Sequence, residues 1–305
     1  MLSECKGLHV VAQTPFTDAG QIDFDSIATL SAFYFRHGAR GLTVLGVSGE
    51  AAKLTADETI AVAARFAAVS GGRRIIAGVS NASLATLAAV TRDVLAEGVG
   101  AVMICPPGNV QTDEEFVAYF GAVFDRIGDV PVVLQDFPFH SGARMSVPLI
   151  CELLDRFPQI GAIKEEDLPS VGKITRLRRE MRRQVRILTG NNGLYLPQEM
   201  ARGADGPMAG YSYPEMLSGV CDLMAAGHIA EAHVLFNRHL PLLRYEAQGA
   251  WGIAVRKEVM RRRGALTSAA LRSPGPVLTQ IDLEEIDTLI AHMDMPAAGA
   301  DRQMR

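Results

Sequence analysis

The sequence predicts an α/β fold, a (β/α)8 TIM barrel followed by a helical extension. Three observations lead there. Eight short β-rich runs alternate with eight longer helical patterns before residue 227. The runs are mostly continuous in apolar character rather than alternating, as strands buried on both faces should be. No Gly-x-Gly-x-x-Gly follows the first run, which counts against a doubly wound dinucleotide-binding sheet.

The expected strands are Gly7–Gln13, Gly41–Gly46, Arg74–Val79, Ala101–Pro106, Val130–Asp136, Ile160–Glu165, Val185–Gly190 and Gly206–Gly210. The expected helices are Asp25–His37, Ala56–Ser70, Leu84–Glu97, Asp113–Arg126, Val147–Phe157, Val171–Arg183, Leu194–Arg202 and Pro214–Ala226. Thr55-Ala56-Asp57-Glu58 has the form of a capping box, and Gly38, Gly71, Gly98 and Gly227 stand where helices should end. Residues 1–226 are therefore read as the catalytic barrel. Residues 227–305 form a helical region packed on it, with helices over Ile229–Arg244, Gly252–Arg263 and Leu283–Met293 and a frayed end at Ala297–Arg305.

Composition narrows the function. The 305 residues are 48% hydrophobic and 21% charged, enough for a large core. A net charge of -4 and a pI near 6.0 leave no footprint for nucleic acid. Arg176, Arg178, Arg179, Arg182, Arg183 and Arg186 fall on several faces of one helix and its flank, which reads as a solvated surface. Cys5, Cys105, Cys151 and Cys221 are scattered without metal-ligand spacing, as free thiols of a reducing compartment would be. No apolar run approaches the ~20 residues of a membrane span, and no secretory pattern opens the chain. The expected setting is cytoplasmic, with no membrane or nucleic-acid partner.

A lysine carries most of the chemical information. Lys164 sits in Ile160-Gly161-Ala162-Ile163-Lys164-Glu165-Glu166, at the end of a buried strand. Burial disfavours a charged amine, and a neutral lysine is a nucleophile that can form an imine with a carbonyl substrate. In a barrel of this kind the site lies at the C-terminal ends of the strands. The second strand ends in Gly46-Val47-Ser48-Gly49-Glu50, where glycines expose backbone N–H groups and Ser48 adds a hydroxyl, an arrangement suited to a carboxylate. Gly190 and Gly210 would let the backbone approach a ligand after the seventh and eighth strands.

Thr14-Pro15-Phe16, Gly46-Val47-Ser48-Gly49-Glu50, the Pro138-containing turn and Ile163-Lys164-Glu165 occur in the order found in the dihydrodipicolinate synthase / N-acetylneuraminate lyase family. The resemblance spans roughly residues 7 to 245. It implies a barrel that acts as a homotetramer and forms a Schiff base between Lys164 and pyruvate or another 2-oxo acid. It also implies a carboxylate site at Val47, Ser48 and Gly49, and no metal or organic cofactor beyond the covalent imine.

The departures from the family pattern are as informative. Val47, Gly108 and Gln135 stand where the synthases carry three hydroxyl side chains, and His140 stands where an arginine clamp is expected, with Arg144 close in sequence. Gln135 can hydrogen-bond but cannot exchange a proton near neutral pH. Glu166, two residues beyond Lys164, shares its face of the strand, and with Asp136 and His140 it is a candidate proton carrier. Gln135-Asp136-x-Pro138 together with Glu166 resembles the 2-keto-3-deoxy-L-arabonate dehydratase branch. Lys164, Glu166 and Gln135 are thus the expected catalytic residues. Val47, Ser48, Gly49, Asp136, His140 and Gly210 are the expected substrate contacts. Glu50 reads as a loop-fixing residue, and Tyr211 and Tyr213 as packing aromatics near the site. The function expected is a Schiff-base lyase, an aldolase or dehydratase of a 2-oxo acid such as a 2-keto-3-deoxy sugar acid. The alternatives are dihydrodipicolinate synthase and a non-catalytic 2-oxo-acid-binding barrel.

Overall fold

A computed structural model describes residues 2–294, so the tail expected over 297–305 lies outside the described residues. Eight parallel strands close into a barrel in chain order. They are β1 His9–Val11, β2 Gly41–Val44, β3 Arg74–Gly78, β4 Ala101–Ile104, β5 Val132–Asp136, β6 Ile160–Glu165, β7 Arg186–Thr189 and β8 Gly206–Ala209. Every expected strand is present, trimmed at most ends, because the chain leaves the ladder to make the loops of the two barrel faces.

The helices are α1 Phe24–Arg36, α2 Ala56–Ala68, α3 Leu84–Ala96, α4 Asp113–Ile127, α5 Pro138–Ser141, α6 Val147–Arg156, α7 Ser170–Glu180, α8 Leu196–Ala201, α9 Pro214–Ala225, α10 Ile229–Glu246, α11 Gly249–Arg262 and α12 Gln280–Asp294. Thr55 and Glu58 do close a capping box at the start of α2, each bonding the other's backbone N–H. The short α5 was not expected; Pro138 opens it and left-handed Gly142 ends it.

Side chains alternate between the barrel interior and the strand–helix layer. Val11, Ile76, Met103, Val133, Ala162, Leu188 and Met208 cluster together inside. A 3-10 turn at Leu2–Glu4 brings Leu2 and Cys5 into the same cluster, so the chain's start stoppers the N-terminal face. Leu2 packs where Gly161 lacks a side chain. The larger core lies between strands and helices and includes Leu242 and Leu243 of α10 and Met260 of α11, so the C-terminal helices extend the barrel's own core.

The arginine run after β6 is less solvated than expected. Arg183 donates to the carbonyls of Leu154, Phe157 and Ile160, and Arg178 and Arg186 share Asp205. Those three staple the loops at the N-terminal ends of β6 to β8, and only Arg176, Arg179 and Arg182 fit a solvated surface.

Candidate active site

Period two carries the interior face upward by one more layer. From Val133, Ala162, Leu188 and Met208 it leads to Gln135, Lys164, Gly190 and Gly210 at the C-terminal mouth. Gln135 and Lys164 are register partners on β5 and β6. Lys164 is 6% exposed, and Glu166 and Gln135 are buried beside it.

One carboxylate organises the three. Glu166 Oε2 lies 3.0 Å from Lys164 Nζ and accepts a hydrogen bond from Gln135 Nε2 at 2.6 Å. Its other oxygen accepts the Asn191 backbone N–H at 3.3 Å, and the Asn191 side-chain amide donates to the Glu166 carbonyl at 3.4 Å. The Glu166 N–H donates to the Asp136 carbonyl, so the inward path continues past the last β6 residue. Gly190 makes this possible. A Cβ there would stand 2.0 Å from Glu166 Oε1 and 2.3 Å from Glu166 Cγ, so only glycine leaves Glu166 its place.

Asp136 requires a correction as a substrate contact. It follows Gln135, so it faces the opposite way, into the layer behind the barrel. There it pairs with Lys173 of α7, which also donates to Asp167 at 3.0 Å and to the Met145 carbonyl at 2.7 Å. Burial, with the neighbouring carboxylate Asp136, pushes the Glu165 carboxyl well above its ordinary range, and burial raises Asp136 too. Burial opposes charge on Lys173, but Glu165, Asp136 and its hydrogen bonds outweigh that and raise its pKa. This cluster stitches α7 to the barrel and does not face the mouth.

His140 is exposed on α5 and stacks on Phe137 at 5.6 Å between ring centroids, with no hydrogen bond to Lys164 or Glu166. Arg144 pairs with Asp167 at 2.9 Å and is 70% exposed. Tyr211 is buried against His239 and Tyr213, outside the barrel interior.

The second-strand loop is a 3-10 turn over Val47–Gly49. Val47 is 50% exposed, Ser48 is half-buried, and Gly49 is buried with its carbonyl accepting from Thr14 Oγ1 at 2.6 Å. Glu50 adopts a left-handed conformation, φ 54°, and its carboxylate takes Lys53 at 2.8 Å and Lys257 of α11 at 2.7 Å. Lys257 also donates to the Thr14 and Ala270 carbonyls. Burial lowers its pKa to about 8 against the pull of Glu50. Glu50 therefore ties the turn to the C-terminal helices.

Gly210 meets Arg256 of α11 rather than open space: a Cβ would stand 2.3 Å from Arg256 Nη1. Arg256, Lys257 and Lys173 escape a sequence reading because each lies far along the chain, on a helix with no motif. Cys105, one layer above Met103, also faces the mouth, and burial pushes its thiol up to about 11, too high for a nucleophile near neutral pH.

A buried amine held 3.0 Å from a carboxylate can pass its proton to that carboxylate and attack a carbonyl carbon. Comparison with known proteins identifies the family. The dihydrodipicolinate synthetase family model matches residues 4–293. A solved structure of a dihydrodipicolinate synthase from Rhodopseudomonas palustris superposes with a TM-score of 0.93 at 43% identity, covering 96% of this chain and 99% of that one. A 4-hydroxy-tetrahydrodipicolinate synthase of Persephonella marina is 31% identical over 78% of this chain and 82% of its own. An L-2-keto-3-deoxyarabonate dehydratase of Azospirillum brasilense is 25% identical over 95% of this chain and 94% of its own. The chain belongs to the dihydrodipicolinate synthetase family and is an enzyme of its lyase type.

Proposed function

We propose that the protein cleaves or dehydrates a 2-oxo acid, such as a 2-keto-3-deoxy sugar acid, through an imine on Lys164. The observation that carries this is the buried contact of Lys164 with Glu166, itself held by Gln135 and Asn191. The Lys164 ammonium passes a proton to Glu166, leaving a neutral amine and a carboxylic acid. The amine attacks C2 of the ketone. The carbonyl oxygen departs as water after taking one proton from the nitrogen and one from Glu166. The product is an iminium, with Glu166 again a carboxylate.

The iminium withdraws electrons from C3, so no separate cofactor is needed as an electron sink. For dehydration, Glu166 removes a C3 proton to give the enamine, then returns that proton as the C4 hydroxyl leaves as water. For aldol cleavage the C3–C4 bond breaks instead: the C4 hydroxyl proton goes to Glu166, an aldehyde departs, and the enamine carbon is reprotonated. Gln135 cannot exchange the proton and instead orients the carboxylate. The family resemblance supports the turn at Val47, Ser48 and Gly49 as the site for the substrate carboxylate.

Pyruvate with borohydride should label Lys164, detected by peptide mass, and wild-type enzyme in D2O should exchange the pyruvate methyl protons, detected by NMR. Glu166→Gln should still gain the label on long incubation, because water can carry the protons of the slower imine step, and lose ~10²-fold or more of the exchange. Unlabelled Lys164 contradicts the imine. Wild-type exchange in Glu166→Gln contradicts the role of Glu166.

A second reading, condensation of pyruvate with aspartate semialdehyde, is favoured by the 43% identity to a chain described as a dihydrodipicolinate synthase. The site weighs against it. Gln135 replaces one expected hydroxyl, and Gly108 packs so closely that a Cβ would stand 2.2 Å from the Ser141 carbonyl oxygen. Complementation of a lysine-pathway deletion at normal expression would favour the synthase. The family resemblance also supports a homotetramer in a cytoplasmic setting. Exposed Phe139, Leu168 and Tyr195 on the loops of the mouth face fit an assembling protein, and a monomer mass by light scattering would refute it.

A further inference from the structure

Helix α11 is buried from Gly252 to Met260, and Arg256 extends from it into the barrel mouth over Gly210. The guanidinium is gripped on two sides. Nε donates to Glu246 Oε2 of α10 at 3.1 Å, and Nη2 donates to Asn192 Oδ1 at 2.9 Å. Glu246 is itself fixed by the hydroxyl and backbone N–H of Ser212, just after β8.

The turn that Arg256 grips is unusual. Asn191 and Asn192 are consecutive left-handed residues, with φ of 49° and 56°. Asparagine takes that conformation more readily than other side chains do, but as single residues; two in succession call for support from surrounding contacts. The turn's backbone donor at Asn191 is the one that meets Glu166 Oε1. An unbroken path therefore runs from Glu246 through Arg256, Asn192 and Asn191 to the carboxylate beside Lys164.

We propose that Arg256 is a positioning residue of the active site: through Asn192 it holds the strained turn after β7, and that turn sets where Glu166 stands relative to Lys164. The proposal rests on the reading of Glu166 as the proton carrier. It makes the C-terminal helices part of the catalytic apparatus rather than an outer support. Gly210 belongs to the same device, because any side chain there would expel the guanidinium.

Asn192→Gly tests it cleanly. Glycine accepts φ near 56° without strain, while the acceptor for Arg256 is lost and the Arg256–Glu246 pair stays intact. A second variant, Arg256→Met with Glu246→Gln, removes the strut without leaving a buried charge alone. The probes are pyruvate–borohydride labelling of Lys164 and pyruvate methyl exchange in D2O. Both variants should label Lys164 within about threefold of wild type while exchange falls by ~10- to 10²-fold, since small misplacements of a reacting group carry costs of that size. Arg256→Lys, which keeps the charge but not the fork, should fall in between. Wild-type exchange in both variants overturns the proposal. An equal loss of labelling and exchange also overturns it, since that indicates a general structural role. If Glu166→Gln itself exchanges normally, the functional reading falls, and the proposal with it.

Discussion

Replacing Gly190 by alanine puts a methyl carbon 2.0 Å from Glu166 Oε1, 2.2 Å from its Cδ and 2.3 Å from its Cγ. Relaxed contacts between carbon atoms lie at about 3.5–4.0 Å, so the Glu166 side chain has to retreat by well over an ångström. Its bonds to Gln135 at 2.6 Å and Lys164 at 3.0 Å cannot both survive such a shift. The φ of Gly190 is -106°, so alanine adds no left-handed strain to the collision. Overpacking of this sort costs ~1–3 kcal/mol of stability. Loss of a placed acid–base group costs ~10²–10⁴ in rate. Gly190→Ala should therefore behave as Glu166→Gln does: Lys164 still labelled by pyruvate and borohydride, methyl-proton exchange lowered by ~10²-fold or more. A double-mutant cycle with Glu166→Ala, read by urea denaturation, should recover most of the stability lost in the single variant, with a coupling of ~1–2 kcal/mol. Normal exchange in Gly190→Ala, or no coupling to Glu166→Ala, would refute the placement of Glu166 that the mechanism needs.

Two further outcomes are expected. Lys164→Arg should trap no pyruvate, because a guanidinium cannot be deprotonated in a protein; borohydride labelling of the 160–167 region in that variant would count against Lys164 as the nucleophile. Burial, with some repulsion from Glu166, raises the carboxyl of Glu199 from 4.5 to about 6, against hydrogen bonds such as that from Ser170 Oγ at 2.6 Å. Since the folded pKa exceeds the unfolded one, Glu199 stabilises the fold fully below about pH 4.5 and loses that contribution as pH rises through about 6, a difference of ~2 kcal/mol. Glu199→Gln should flatten that part of the stability–pH profile, measured by denaturant melts from pH 4 to pH 7; an unchanged slope would contradict it.

The barrel was legible along the chain because its evidence is local. Strand runs such as Ala101–Ile104 are apolar throughout, helices carry their caps in the adjacent residues, as at Thr55 and Glu58, and eight alternating units without a dinucleotide-binding glycine motif favour a closed barrel over an open sheet. The relation of Glu166 to Lys164 was legible for the same reason: positions two apart along an extended chain share a face, and the chain stays extended one residue past β6. The sequence reading placed both Gln135 and Asp136 at the site, although adjacent strand residues face opposite ways, and the structure sends Asp136 to Lys173. What tertiary structure alone decided is which distant groups complete the site. Lys257 closes on Glu50 across 207 positions, and Arg256 reaches Asn192 across 64. No spacing rule announces such pairs, because nothing local favours them. A buried charge requires a partner, and only the packing of α11 over the barrel mouth determines which partner it meets.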